Sequence, residues 1–71
     1  MEASLGKRIK ALRESLGISQ EELSQKLSMD RAALSLVEND KRSLKADELI
    51  LLSNAMNISI DELLNLKAPT K

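Results

Sequence analysis

The chain has no cysteine, no histidine and no aromatic residue. Without thiols or imidazoles there is no disulfide framework, no zinc-type ligand spacing, no thiol nucleophile and no imidazole base. Any catalysis would rest on carboxylates, lysines or hydroxyls, and no convergent set of these stands out. The expectation is therefore a protein that is not an enzyme and needs no metal or cofactor. Without Phe, Tyr or Trp it cannot build a stacking platform for single strands or a cage for methylated ammonium groups. Long apolar runs are missing too. The longest, Leu49 to Leu52, falls far short of the roughly 20 residues that span a bilayer. Met1-Glu2 leads into no basic stretch and apolar core, so no secretory signal is expected and the cytoplasm is the expected location. Neither charge dominates, with 11 Lys+Arg against 11 Asp+Glu. Residues 1–45 carry 9 basic and 7 acidic side chains and residues 46–71 carry 2 and 4, a skew too small to mark a polyanion-binding surface by itself.

Only Gly6, Gly17 and Pro69 punctuate a chain rich in Leu, Ala, Glu, Lys and Gln, a bias toward helix. Leu5, Ile9, Leu12 and Leu16 recur at helical spacing and predict a first helix, ended by Gly17 in a left-handed cap. In Ile18-Ser19-Gln20-Glu21-Glu22-Leu23, Ser19 and Glu22 form a capping box and Ile18 can staple onto Leu23, so a second helix runs from here to about Leu27. Ser28-Met29-Asp30 breaks it. Asp30 then caps a third helix from about Arg31 to Asn39, with Met29 placed to staple onto Leu34. Leu49, Leu52, Ala55 and Met56 mark a fourth helix. The capping signature repeats in Ile58-Ser59-Ile60-Asp61-Glu62-Leu63 and starts a short fifth. The fold class is thus all-α, a compact bundle of five short helices. None is stable alone in water, so mutual packing must hold them. Leu5, Ile9, Leu12, Leu16, Leu49, Leu52 and Met56 are expected in the core. Residues 1–66 form one domain, and residues 67–71 are a tail or the start of a linker.

The connection between the second and third helices is about three residues, which suits a sharp corner, a helix-turn-helix. Here the chain resembles the Cro and CI-type phage repressor family, also called the xenobiotic-response-element family, which includes controller proteins of restriction-modification systems. The resemblance spans about residues 5–64. It is carried by Ile9-Lys10-Ala11-Leu12-Arg13, Gly17-Ile18-Ser19-Gln20-Glu21-Glu22-Leu23, Val37-Glu38-Asn39, Lys41-Arg42 and Ile58-Ser59-Ile60-Asp61-Glu62-Leu63-Leu64. Each motif is loose, but their order and spacing together are specific.

The resemblance implies a lambda-repressor-like DNA-binding domain with a central helix-turn-helix, whose third helix enters the major groove. Leu23, Leu27, Leu34 and Val37 would close the inside of the corner, with the small Ser24 where the helices cross. Arg31, Ala32, Ser35 and Leu36 then face bases. Arg31 suits guanine N7 and O6, and Ala32 a thymine methyl. Leu36 leaves three readings open: a methyl group, a partner protein, or no contact. Gln20, at a helix start that favours an anion, and Asn39, Lys41 and Arg42 are implied phosphate contacts. Arg13 and Glu38 look like the family's internal ion pair. The family often dimerises through its last helix, which places Ile60, Leu63, Leu64 and Leu66 at a dimer interface.

Four positions depart from the family pattern. Asp40 and Ser28 stand where glycine is usual, Leu44 where proline is, and Lys45 where a Ser or Thr cap would start the fourth helix. The missing cap would cost about 1 kcal/mol, and Asp40 would bring a carboxylate toward phosphates. The expected function is a sequence-specific double-stranded DNA-binding transcriptional regulator. It would read a palindromic operator as a homodimer, with a further domain or partner protein compatible with the same head. The competing reading is a helical protein-interaction or antitoxin-like module on the same fold with little DNA affinity.

Overall fold

In the computed structural model, which describes residues 4–64, five helices follow one another: α1 (Leu5–Ser15), α2 (Gln20–Lys26), α3 (Arg31–Glu38), α4 (Ala46–Met56) and α5 (Ile60–Leu64). Among the described residues there is no strand, and no helix is long and apolar enough to cross a membrane.

Local chemistry sets the helix starts. A helix leaves its first N–H groups without partners, and a side-chain oxygen just before it can accept from them. The Ser4 hydroxyl accepts from Lys7 N–H at 3.2 Å. Ser19 and Glu22 close a full capping box, each bond 3.0 Å. Asp30 accepts from Ala33 N–H at 3.3 Å, and Ser59 from Glu62 N–H at 3.1 Å. Lys45 has no acceptor to offer, yet Glu48, three residues on, accepts from Lys45 N–H at 2.9 Å and supplies half of a box. This answers the expected loss of a cap at Lys45.

The helix ends are just as uniform. After α1, α2, α3 and α4 the chain turns through a left-handed residue, Gly17 (φ 72), Ser28 (φ 57), Asp40 (φ 62) and Asn57 (φ 55). Each end carries the paired reverse hydrogen bonds of a Schellman motif, for example Gly17 N–H to Glu14 O and Ile18 N–H to Arg13 O, both 3.1 Å. Three of these four positions are not glycine. The residue after the turn is Ile18, Met29 or Ile58 in three cases, and each packs against the core. One apolar side chain thereby seals the helix behind it and staples the helix ahead.

The core consists of Ile9, Leu23, Leu27, Leu34, Val37, Leu52, Met56 and Leu63, with Leu5, Leu12 and Leu44 packed at its edge. Burial of side chains like these contributes about 1.5–3 kcal/mol apiece and holds together helices that would not form alone. Three expectations are corrected. Leu49 was expected in the core but is half-buried at its margin and is not among the side chains packed on it. Leu16 was expected in the core but is 50% exposed, because α1 ends at Ser15 and the turn at Gly17 sends Ile18 inward in its place. Leu63 was expected at a dimer interface but is fully buried, because α5 packs on α1 and α4 with Leu63 on its inner side.

Gly6 allows a close approach of α1 to the end of α3. A Cβ there would collide with the carbonyl oxygen of Val37 and with Asp40 Oδ1, so α1 crosses the end of α3 with no side chain between. Asp40 completes the joint. Its carboxylate accepts from the Ser4 hydroxyl at 2.6 Å and from Gly6 N–H at 3.3 Å. The carboxylate that sequence reasoning sent toward phosphates instead serves the start of α1. At the other end, Arg8 on α1 donates to the carbonyl oxygens of Glu62 and Leu63 and satisfies the last turn of α5.

Candidate nucleic-acid interface

The corner between α2 and α3 is held from inside. Leu23, Leu27, Leu34 and Val37 are all at most 3% exposed, and Ser24, whose hydroxyl donates to Glu21 O at 2.9 Å, sits at 2%.

A buried polar network locks the same corner to α1. Arg13 donates from Nε to Glu38 Oε2 at 2.7 Å and from Nη2 to Oε1 at 3.2 Å, and from Nη1 to Ile18 O at 2.9 Å. Gln20 Nε2 donates to Glu38 Oε1 at 2.9 Å. Glu38 is 3% exposed and Arg13 8%, and no buried side-chain N or O atom among the described residues lacks a partner. The hydrogen bonds that Glu38 accepts from Arg13, together with its negative charge, raise the Arg13 pKa above its already high ordinary value against the opposing effect of burial. The guanidinium is charged at neutral pH. Three helices are therefore fixed by one carboxylate, which sets how α3 stands relative to α1 and α2.

Of the residues expected at bases, Arg31 and Ala32 are exposed, Ser35 is half-buried and Leu36 is 47% exposed, all on α3. Arg31 forms no ion pair among the described residues. Of the residues expected at phosphates, Gln20 directs its amide to Glu38. Asn39 is exposed and donates back to Ser35 O at 2.8 Å. Lys41 is exposed and without an ion pair among the described residues. Arg42 is held differently from the expectation. Its guanidinium grips both oxygens of Glu48 at 3.1 and 3.0 Å, pinning the loop after α3 to the start of α4. The hydrogen bonds from Arg42, and then the one from Lys45 N–H, hold the Glu48 carboxyl below its ordinary 4.5. Among the described residues Lys41 and Lys45 are the cations of this loop without an ion pair, and Lys41 stands nearer to α3. Of the residues expected at a dimer interface, Ile60 and Leu64 are half-buried, Leu63 is core, and Leu66 lies outside the described residues.

Sequence reasoning missed Arg8, Asp40 and Glu48 as structural partners. Glu48 had a readable signal, since it stands three residues after the helix start at Lys45. Arg8 and Asp40 had none, because their partners are 55 and 36 residues away.

A family model described as helix-turn-helix matches residues 9–63. The HTH-type transcriptional regulator ImmR of Bacillus subtilis (strain 168) is 44% identical over 61 residues, 86% of this chain and 48% of that protein. The chain spans about half the length of this curated relative. Among solved structures, the P22 c2 repressor in complex with synthetic operator 9T superposes with a TM-score of 0.84 at 30% identity, covering 93% of this chain and 100% of that one. The restriction-modification controller protein C.AhdI from Aeromonas hydrophila gives 0.78 at 32% identity, covering 83% and 89%. A chain of the SinR protein/SinI protein complex gives 0.80 at 29% identity, covering 96% and 67%.

Proposed function

The chain belongs to the helix-turn-helix family of the Cro/CI type, and from that membership we propose that it is a sequence-specific double-stranded DNA-binding transcriptional regulator. In this reading α3 lies in the major groove. The observation that carries it is the exposed Arg31, without an ion pair among the described residues, at the start of a helix whose opposite face is locked by Leu34, Val37 and Glu38. A guanidinium so placed can donate two parallel hydrogen bonds to guanine N7 and O6, worth about 1–3 kcal/mol of discrimination. Lys41 supplies a phosphate contact from the following loop, Gln20 and Asn39 add their remaining amide hydrogens, and Arg42 anchors that loop to α4. The operator found with the P22 c2 repressor and the transcriptional role named for ImmR support the same reading.

Two copies related by a two-fold axis would set their α3 helices about one DNA turn apart, ~34–36 Å, and read a palindrome. Ile60 and Leu64 are the described apolar residues of α5 that remain partly open to a second copy. Selection of duplexes from a random pool tests binding, symmetry and spacing together. A palindromic product whose affinity falls steeply as salt rises is the expected result. The formal net charge of zero and the half-exposed Leu36 favour a second reading, a protein-interaction or antitoxin-like module. Failure to enrich any duplex at low ionic strength would decide for it.

A further inference from the structure

Resting on the two-fold DNA-binding reading above, we propose that Arg8 is a positioning residue, which fixes α5 against the reading head and so sets the separation of the two α3 helices in a dimer. Its effect runs through α1, which packs on both α3 and α5. Toward α3, Gly6 lies against the carbonyl oxygen of Val37 and the Arg13 guanidinium closes on both oxygens of Glu38. Toward α5, the half-buried Arg8 donates from Nε to Leu63 O at 3.2 Å and from Nη2 to Glu62 O. A guanidinium holds its donors in a rigid plane, so bonds to two successive carbonyls fix an orientation as well as a distance.

The fifth helix needs such a fixing. It has five residues, about 7.5 Å of helix, too short to hold itself in water. Leu63 is its one buried side chain, a single knob that sets how deep α5 sits but leaves it free to pivot. The link from α4 holds the N-terminal end, where the Ser53 hydroxyl donates to Ile58 O. Arg8 holds the C-terminal end. Leverage makes the angle matter. With copies meeting through Ile60 and Leu64 on α5, each α3 lies about 17 Å from the two-fold axis, half of the ~34–36 Å between them. A pivot of about 10° then moves α3 by about 3 Å, close to the rise of one base pair. An α5 pinned by Arg8 admits one spacing of half-sites, and an α5 free to pivot admits its neighbours.

The test compares the wild type with Arg8→Met and Arg8→Lys at low ionic strength. Each binds the palindrome that the wild type selects, the same half-sites set one base pair nearer and one farther apart, and a single half-site. Methionine keeps the apolar stem and removes every donor. Lysine keeps the charge but has one nitrogen where arginine spans two carbonyls. Both variants are expected to bind the single half-site as the wild type does and to lose the preference for the selected spacing, the affinity ratio between spacings falling toward one. Should a thermal melt show Arg8→Met unfolded, Arg8→Lys decides alone. An unchanged ratio in either folded variant overturns the proposal. So does an equal loss on every duplex, the half-site included, which is what a purely stabilising Arg8 would give. Wild-type selection of half-sites without symmetry removes the two-fold part of the DNA-binding reading and this inference with it, and failure to enrich any duplex removes that reading as a whole.

Discussion

The two faces of α3 are built on opposite terms. On the inner face Leu34 and Val37 are buried to 3% exposure or less, and Glu38 accepts from two side chains on two other helices. On the outer face Arg31, Ala32 and Leu36 touch solvent, and Arg31 has no ion pair among the described residues. Inner residues over-determine the angle of the helix, so outer residues are free to vary without moving it. Substitutions should separate the same way: the inner face should govern stability, and the outer face should govern what is read.

The largest effect belongs to the inner face. Glu38→Ala leaves the Arg13 guanidinium buried without its partner and should lower unfolding stability by about 3–5 kcal/mol, measured by urea or thermal denaturation. Arg13→Met with Glu38→Leu should regain most of that loss, because an apolar pair needs no compensating charge. If the single change were harmless, the claim that one carboxylate sets the corner would fail. Next comes Gly6→Ala, which forces the end of α3 away from α1 and should cost about 1–3 kcal/mol in the same assay. The outer face should behave inversely. Arg31→Ala is expected to leave stability within about 0.5 kcal/mol and to reduce discrimination by about 1–3 kcal/mol at one base pair only, read by binding to a set of single-position operator variants.

The loop after α3 sharpens the contrast. Lys41→Ala should weaken binding to all sequences alike and reduce the slope of log affinity against log salt by about 0.9. Arg42→Ala should change that slope less and the melting temperature more, since its charge is already matched by Glu48. The smallest effect is a pH dependence. The Glu48 carboxyl is lowered below 4.5 by Arg42, so the stability that it supplies is complete above that ordinary value and is lost as pH falls through the lower value it has in the fold. Melting curves of the wild type and Glu48→Gln in acid should therefore converge as pH falls. Parallel curves would mean that the pair does nothing for the fold.

Much of the architecture was legible because its causes are local. The Ser19–Glu22 and Ser59–Glu62 boxes act across three residues, and the core stripe of Ile9, Leu52 and Met56 follows from helical period alone. The left-handed ends at Ser28 and Asp40 were legible only as departures from a glycine pattern, and Asn57 went unread although asparagine is the next residue to tolerate that conformation. Leu16, expected in the core from periodicity, is half-exposed, and Leu63, placed at a dimer interface by the family resemblance, is core. Periodicity says that a leucine lies on an apolar stripe, but where the helix stops and what packs on it decide whether that stripe is covered.

By itself the sequence determined five helices, their start points and the identity of the corner, since a cap or a staple involves side chains within about five positions of one another. Only the tertiary structure decided which charges remain available. Asp40 went to α1, Arg42 to Glu48 and Arg8 to the end of α5, while Arg31 and Lys41 form no ion pair among the described residues. Charges pair through space, and the distances that decide those pairings exist only once the helices have packed.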